Sequence, residues 1–113
     1  MDTLPDIKIT IGMTTYNRPE FLRQAVQSVL QQSYKNFELI ISNDFIERAV
    51  ILEDLGIEDD SRIKIINQAQ SLGHNLGDIK NMNFLLEATQ NDWFVWLADD
   101  DLMHPDFLKH ARE

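Results

Sequence analysis

Residues 93–105 read WFVWLADDDLMHP. Trp93 to Leu97 is an apolar run of strand length, and it stops abruptly at Asp99, Asp100 and Asp101. Adjacent carboxylates repel one another and resist burial. A divalent cation offsets that cost well, because hard cations favour carboxylate oxygens. An acidic cluster at the carboxyl end of a buried strand is also where open α/β sheets bind ligands. The competing reading is a solvated loop whose acids cap the helix that follows Pro105. The run alone leaves both open, so the choice turns on what lies upstream.

Working outward, Lys8–Met13 (KITIGM) is β-branched and apolar and reads as a strand. Thr14–Arg18 (TTYNR) ends it, and Pro19 and Glu20 suit the first turn of a helix. Phe21, Leu22, Ala25, Val26, Val29 and Leu30 give that helix one apolar face through about Gln31. Phe37–Ile41 (FELII) is a second strand, closed by Ser42, Asn43 and Asp44. Ile46, Val50, Ile51 and Leu55 fit a short helix within 45–55. Arg62–Ile66 is a third strand and Gln68–Leu76 a polar loop. A helix from Asp78 to about Thr89 precedes the fourth strand, Trp93–Leu97, in which Trp93 and Trp96 are expected in the core. Pro105 opens a last helix through His110.

Strands alternating with helices imply a parallel sheet with right-handed crossovers. In such a sheet the loops after each strand share one rim. That rim would gather Thr14–Arg18, Ser42–Asp44, the loop around Gly77, and Asp99–Asp101.

Bulk composition narrows the function. The 113 residues suffice for one small domain with one core, and 43% hydrophobic residues make it globular. A formal charge of −9 argues against nucleic acid or an anionic membrane surface as partner, since both need a basic face. It leaves open a phosphorylated small molecule whose charge a cation neutralises. Cysteine is absent, which excludes disulfides, thiolate catalysis and cysteine-based zinc sites. No window is apolar enough to span a membrane, and Met1–Lys8 lacks signal-peptide character, so a cytoplasmic location is expected.

TTYNRPE is neither a P-loop nor a dinucleotide fingerprint. Tyr16 offers an aromatic plate on which a base could stack, or is an ordinary tyrosine packed on the first helix. Asn43 and Asp44 could read a base edge or a ribose hydroxyl, or could simply stabilise a turn. Gly77 permits close backbone approach ahead of a helix whose N-terminus suits a phosphate, or is a plain turn glycine. His74, His104 and His110 sit at unrelated spacings and are read as solvated or capping residues. Together the rim suggests a stacked base, a polar edge reader and a cation-holding acid cluster: a nucleotide-diphosphate site without a P-loop.

At this point the chain resembles the N-terminal, nucleotide-sugar-binding half of a family 2 glycosyltransferase of GT-A fold. The resemblance spans Ile7 to Leu108 and rests on three segments in order: ITIGMTTYNRPEFLRQAVQSVLQQSYKNFELIISND, NLGDIKNMNFLLEA and WFVWLADDDLMHPDFL. It implies an α/β fold, a Rossmann-like mostly parallel sheet with helices on both faces. It also implies roles. Thr14 and Tyr16 line the nucleobase, with Tyr16 under the ring. Asn43 and Asp44 match the pair that reads base and ribose. Asp99–Asp101 match the DxD region, which binds Mg or Mn with the sugar nucleotide. Asp100 aligns as the direct metal ligand, Asp99 faces ribose, and Asp101, grouped with Asp100 at the metal, supports the loop or the sugar. Asn43 departs from the family's usual acid, Phe45 and Ile46 replace a usual glycine-serine, and Ala98 stands where the DxD begins.

The resemblance further implies transfer of a sugar from a nucleotide-diphospho-sugar, a UDP-sugar foremost, to a saccharide, lipid or protein acceptor. Residues 1–113 are expected to be a single truncated donor-binding domain, with no catalytic residue of its own, because the family's general base lies in an acceptor-binding half. Such a sheet would expose an edge open to self-association. Two alternatives are a non-catalytic nucleotide- or metal-binding module, or inactive fragment, of the same fold, and an unrelated phosphotransfer domain using Asp44 or Asp99.

Overall fold

The computed structural model describes residues 7–89, 91 and 93–112; the reading of the first six residues lies outside them. Strands β1 (Ile9–Thr15), β2 (Phe37–Asn43), β3 (Ile63–Ile66) and β4 (Trp93–Trp96) alternate with helices α1 (Pro19–Leu30), α2 (Gln68–Leu72), α3 (Asp78–Ala88) and α4 (Phe107–Arg112). The sheet order is β3-β2-β1-β4 and every pairing is parallel. The expected α/β, Rossmann-like architecture is therefore the observed one.

Alternation along each strand sorts the two faces. Ile9, Ile11 and Met13 of β1 and Phe37, Leu39 and Ile41 of β2 join Leu22, Ala25, Val26 and Val29 of α1 and Leu108 of α4 in the main core. Fully burying such side chains stabilises the fold by roughly 1.5–3 kcal/mol each. Gln32, fully buried after α1, donates from Nε2 to the His104 carbonyl at 2.6 Å and accepts at Oε1 from Leu108 N at 3.1 Å. These bonds seat the 104–108 turn on this face. The opposite face carries Thr10, Gly12, Ile40 and Ser42 beneath α3. A Cβ on Gly12 would come within 2.9 Å of Leu85 Cδ2 and 2.3 Å of Phe94 Cζ, so glycine here admits the close approach of α3 and the β4 edge.

Four sequence expectations are corrected. No helix fills 45–55; only a 3₁₀ turn at Glu53–Leu55 forms. Asn43 Oδ1 accepts from Phe45 N, and Asn43 Nδ2 donates to the Arg48 carbonyl at 2.9 Å. Asn67 bonds both the N–H and the C=O of Val50. Those side-chain bonds take backbone groups a helix would need. Second, Gln68–Leu72 is helical, closed by Gly73 at φ 81°. Its buried residues are Gln68 and Ala69, so it carries no apolar periodicity to detect. Third, Trp93 and Trp96 are 48% and 38% exposed, because β4 is an edge strand rather than an interior one. Fourth, α4 begins at Phe107, two residues past Pro105, whose carbonyl instead accepts from Ser33 N.

Candidate functional site

All four strands end on one rim, and side chains stitch its loops together. Thr15, the last residue of β1, donates from Oγ1 to Asp99 Oδ2 at 2.9 Å in a buried bond spanning 84 positions of sequence. Asp44 N donates to the Thr15 carbonyl at 3.0 Å, tying the β2 end to the β1 end. The Asp44 carboxylate, 3% exposed, accepts from Gln68 Nε2 and Leu76 N at Oδ1, both at 2.6 Å, and from Gly77 N at Oδ2 at 2.9 Å. Gly77 has φ 86° and ψ 164°, a region essentially confined to glycine, so this clamp depends on the residue as well as on the carboxylate. Arg18 Nη1 lies 3.2 Å from Asp100 Oδ2 and 3.7 Å from Asp99 Oδ1.

Tyr16 stands 48% exposed beyond β1, its ring meeting Phe45 edge-on with centroids 5.2 Å apart. Beside this pair a cleft opens between the β1–α1 loop and the 45–55 segment. Thr15, Arg18, Asn43, Phe45 and Arg48 line it over an apolar floor of Leu22, Val50 and Leu55. Arg48 faces Asp54 across 4.0 Å.

Of the residues singled out by sequence, Tyr16, Asn43, Asp44 and Asp99–Asp101 meet at this rim. Thr14 pairs with Ser42 on the sheet, while its neighbour Thr15 faces the cleft and holds Asp99. Asn43 and Asp44 are bound by protein groups: Asn43 in part within its own turn, as the turn-stabilising reading expects, and Asp44 by residues 24 to 33 positions away. Asp100 and Asp101 are exposed. Among the described residues no group of three or more acids or histidines converges as a metal cage. The histidines join no such group either: His74 Nδ1 lies 3.0 Å from the Asn75 carbonyl, and His104 Nδ1 accepts from Asp106 N.

Sequence reasoning missed Arg18, Phe45, Gln68 and Asn67. Arg18 and Phe45 carried a signal, a charged and an aromatic residue three and two positions past the ends of β1 and β2. Gln68 and Asn67 carried none, because only the fold brings them to Asp44 and Asn43.

Comparison with known proteins agrees with this layout. The glycosyl transferase family 2 model matches residues 10–113. An uncharacterized glycosyltransferase of Haemophilus influenzae is 32% identical over 106 residues, covering 89% of this chain and 39% of its own length. Protein CgeD of Bacillus subtilis is 33% identical over 110 residues, covering 89% and 24%. An uncharacterized glycosyltransferase of Rickettsia bellii is 28% identical over 102 residues, covering 90% and 14%. The chain thus spans well under half the length of these relatives. The structure of S. aureus TarS 1-349 superposes with a TM-score of 0.77 at 19% identity, covering 93% of this chain and 31% of that one. The same protein in complex with UDP-GlcNAc gives 0.76 at 18%, covering 93% and 30%. Fold, rim and family match coincide: this chain belongs to glycosyl transferase family 2 and carries the N-terminal half of its GT-A fold.

Proposed function

We propose that this chain is the donor-binding part of a glycosyltransferase that takes its sugar from a nucleotide-diphospho-sugar. The observation that supports this best is the joining of the β1, β2 and β4 ends into one rim beside the Tyr16–Phe45 cleft. The S. aureus TarS structures with UDP and UDP-GlcNAc make a UDP-sugar the first donor to test.

In this reading the base enters the cleft against Tyr16, and Thr14, Asn43 and Asp44 border base and ribose. Asn43 and Asp44 contribute chiefly by holding segments 45–50 and 76–77 in place. Asp99, fixed by Thr15, faces the ribose. Asp100 and Asp101 would hold Mg or Mn. Two exposed carboxylates fit such an ion, because Mg is commonly bound by one or two carboxylates with substrate phosphates completing its shell. When bound, the cation supplies Lewis acidity that stabilises charge on a departing diphosphate. The acceptor is a hydroxyl of a saccharide, lipid or protein, and the base that deprotonates it belongs to sequence outside this donor part. A cytoplasmic location belongs to the same proposal and fractionation checks it; among the described residues no helix is long and apolar enough to cross a membrane.

The Arg18–Asp100 pair and the absence of a three-ligand cage among the described residues favour a second reading, a nucleotide-binding module without turnover. Calorimetry with UDP, with and without Mn, followed by a donor-hydrolysis assay, decides between them. Metal-enhanced binding with slow release of sugar supports the transferase part. Binding without release supports the module, and no UDP binding under any condition refutes both. Residues 1–113 alone should bind weakly and transfer poorly.

A further inference from the structure

Arg18 bridges the β1 and β4 ends at the rim. Its guanidinium reaches Asp100 at 3.2 Å and Asp99 at 3.7 Å, from a side chain that is 51% exposed. It is also the N-cap residue of α1, where its carbonyl accepts from Leu22 N at 2.8 Å and its side chain makes no cap bond. The helix needs the Arg18 backbone; the guanidinium is spent on the aspartates. Arg18 also lines the cleft that Tyr16 and Phe45 flank. One cation therefore sits between the carboxylates proposed for a metal and the space proposed for a nucleotide.

We propose that Arg18 is the built-in counter-ion of this acid cluster, and that it couples cation binding to diphosphate binding. This rests on the donor-site reading above. A divalent cation arriving at Asp100 must displace the guanidinium, so the cation alone binds weakly. A nucleotide diphosphate gives the displaced guanidinium an anionic partner, since arginine's fork matches phosphate oxygens. Cation and diphosphate then strengthen each other's binding, and linkage makes the effect reciprocal. No bond is made or broken in this exchange; one ion pair replaces another.

The test uses Mn titrated alone, followed by electron paramagnetic resonance, and then Mn in the presence of UDP. Three proteins are compared: wild type, Arg18→Met and Arg48→Met. Arg48 lines the same cleft but pairs with Asp54, so its loss reports a general change in field. For Arg18→Met, Mn alone should bind roughly three- to thirty-fold tighter, given a unit charge about 4 Å from the ion in a largely solvated setting. UDP should enhance Mn binding in wild type and fail to do so, or do so several-fold less, in Arg18→Met. In the titration with Mn alone, where the cleft is empty, Arg48→Met should match wild type. Arg18→Lys, which keeps the charge without the fork, should retain weak Mn binding with reduced UDP enhancement. Equal Mn affinity in wild type and Arg18→Met overturns the counter-ion role while leaving the donor site standing. Equal tightening in Arg48→Met also overturns it, by assigning the effect to the general field. Absence of Mn binding in every protein, with UDP present, refutes the metal-dependent reading itself and the coupling with it.

Discussion

The Asp44→Asn substitution isolates the clamp on which the rim is built. Asp44 accepts three N–H groups, two at Oδ1 and one at Oδ2, and is 3% exposed, so the carboxylate itself is closed to water. Asparagine keeps one oxygen. Its better orientation leaves that oxygen toward Gln68 and Leu76 and turns the amide toward Gly77 N, donor against donor. Two bonds change from charged to neutral acceptors, each weakening by about 1 kcal/mol. The Gly77 N–H loses its charged acceptor and faces an amide donor instead, at about 1–3 kcal/mol. The total, about 3–5 kcal/mol, is a large part of the stability of a typical domain. At roughly 4 °C per kcal/mol for this size, the thermal midpoint should fall by about 12–20 °C. Circular dichroism at neutral pH measures it, and amide exchange should show Leu76 and Gly77 losing protection first. A fall under about 4 °C, with Leu76 and Gly77 still protected, would refute the reasoning.

Three further outcomes follow from other parts of the molecule. Tyr16→Ala should weaken UDP binding by roughly five- to a hundred-fold if the ring stacks on the base, as read by calorimetry; an unchanged affinity removes Tyr16 from the site. The Asp60 carboxyl is held below its ordinary 3.8, first by its side-chain bonds from Arg62 and then by the Arg62 backbone N–H. Because the folded-state value is the lower one, its contribution is complete above that ordinary value and is lost as pH falls through the folded one. Asp60→Asn should therefore destabilise at pH 7, with the difference from wild type shrinking as pH drops below about 4; urea melts at both pH values test this, and a gap that widens in acid contradicts it. The β4 edge presents exposed Trp93 and Trp96, and α3 separately exposes Ile79, Met82 and Leu86, so we expect concentration-dependent self-association through the β4 edge that Trp93→Lys suppresses. A monomeric sedimentation profile for the wild type at high concentration would count against that surface.

The sheet was legible because its signals are local. KITIGM, FELII, RIKII and WFVWL are short β-branched or aromatic runs, each ended by polar residues, and alternation with helices fixes a parallel topology. The candidate rim was legible for the same reason, since topology alone collects strand ends. What escaped were the effects of side chains on distant backbone. Ile46, Val50, Ile51 and Leu55 have helical spacing, yet Asn43 and Asn67 hold segment 45–50 open. The tryptophans of β4 look like core until the strand order puts them at an edge. Gln68 is a polar residue in a polar stretch until α2 delivers it, fully buried, to Asp44 and Asn81. At the end of β1 the threonine that lines the cleft is Thr15, the neighbour of Thr14, because β1 runs on to it.

The hydrogen bonding of the rim also constrains how it can recognise a nucleotide. Thr15, Asn43, Asp44, Gln68 and Asn81 spend their polar atoms on one another, on Asp99 and on backbone, Gln68 Oε1 excepted, so they hold positions more than they offer contacts. The polar groups that face solvent there include the Tyr16 hydroxyl, Asn17, the Arg18 and Arg48 guanidiniums, Asp100 and Asp101. Arg48 faces Asp54, so at the β4 end three aspartates stand against Arg18 alone and leave that edge negative, in a chain of net charge −9. A diphosphate brings charge of the same sign, and like charges a few ångströms apart repel even in water. Shape and stacking can orient a base in the cleft, but they cannot seat a pyrophosphate beside Asp100 and Asp101. Under the donor-site proposal a cation is therefore a condition of binding as much as of chemistry, and Arg18 alone is too small a positive charge to supply it.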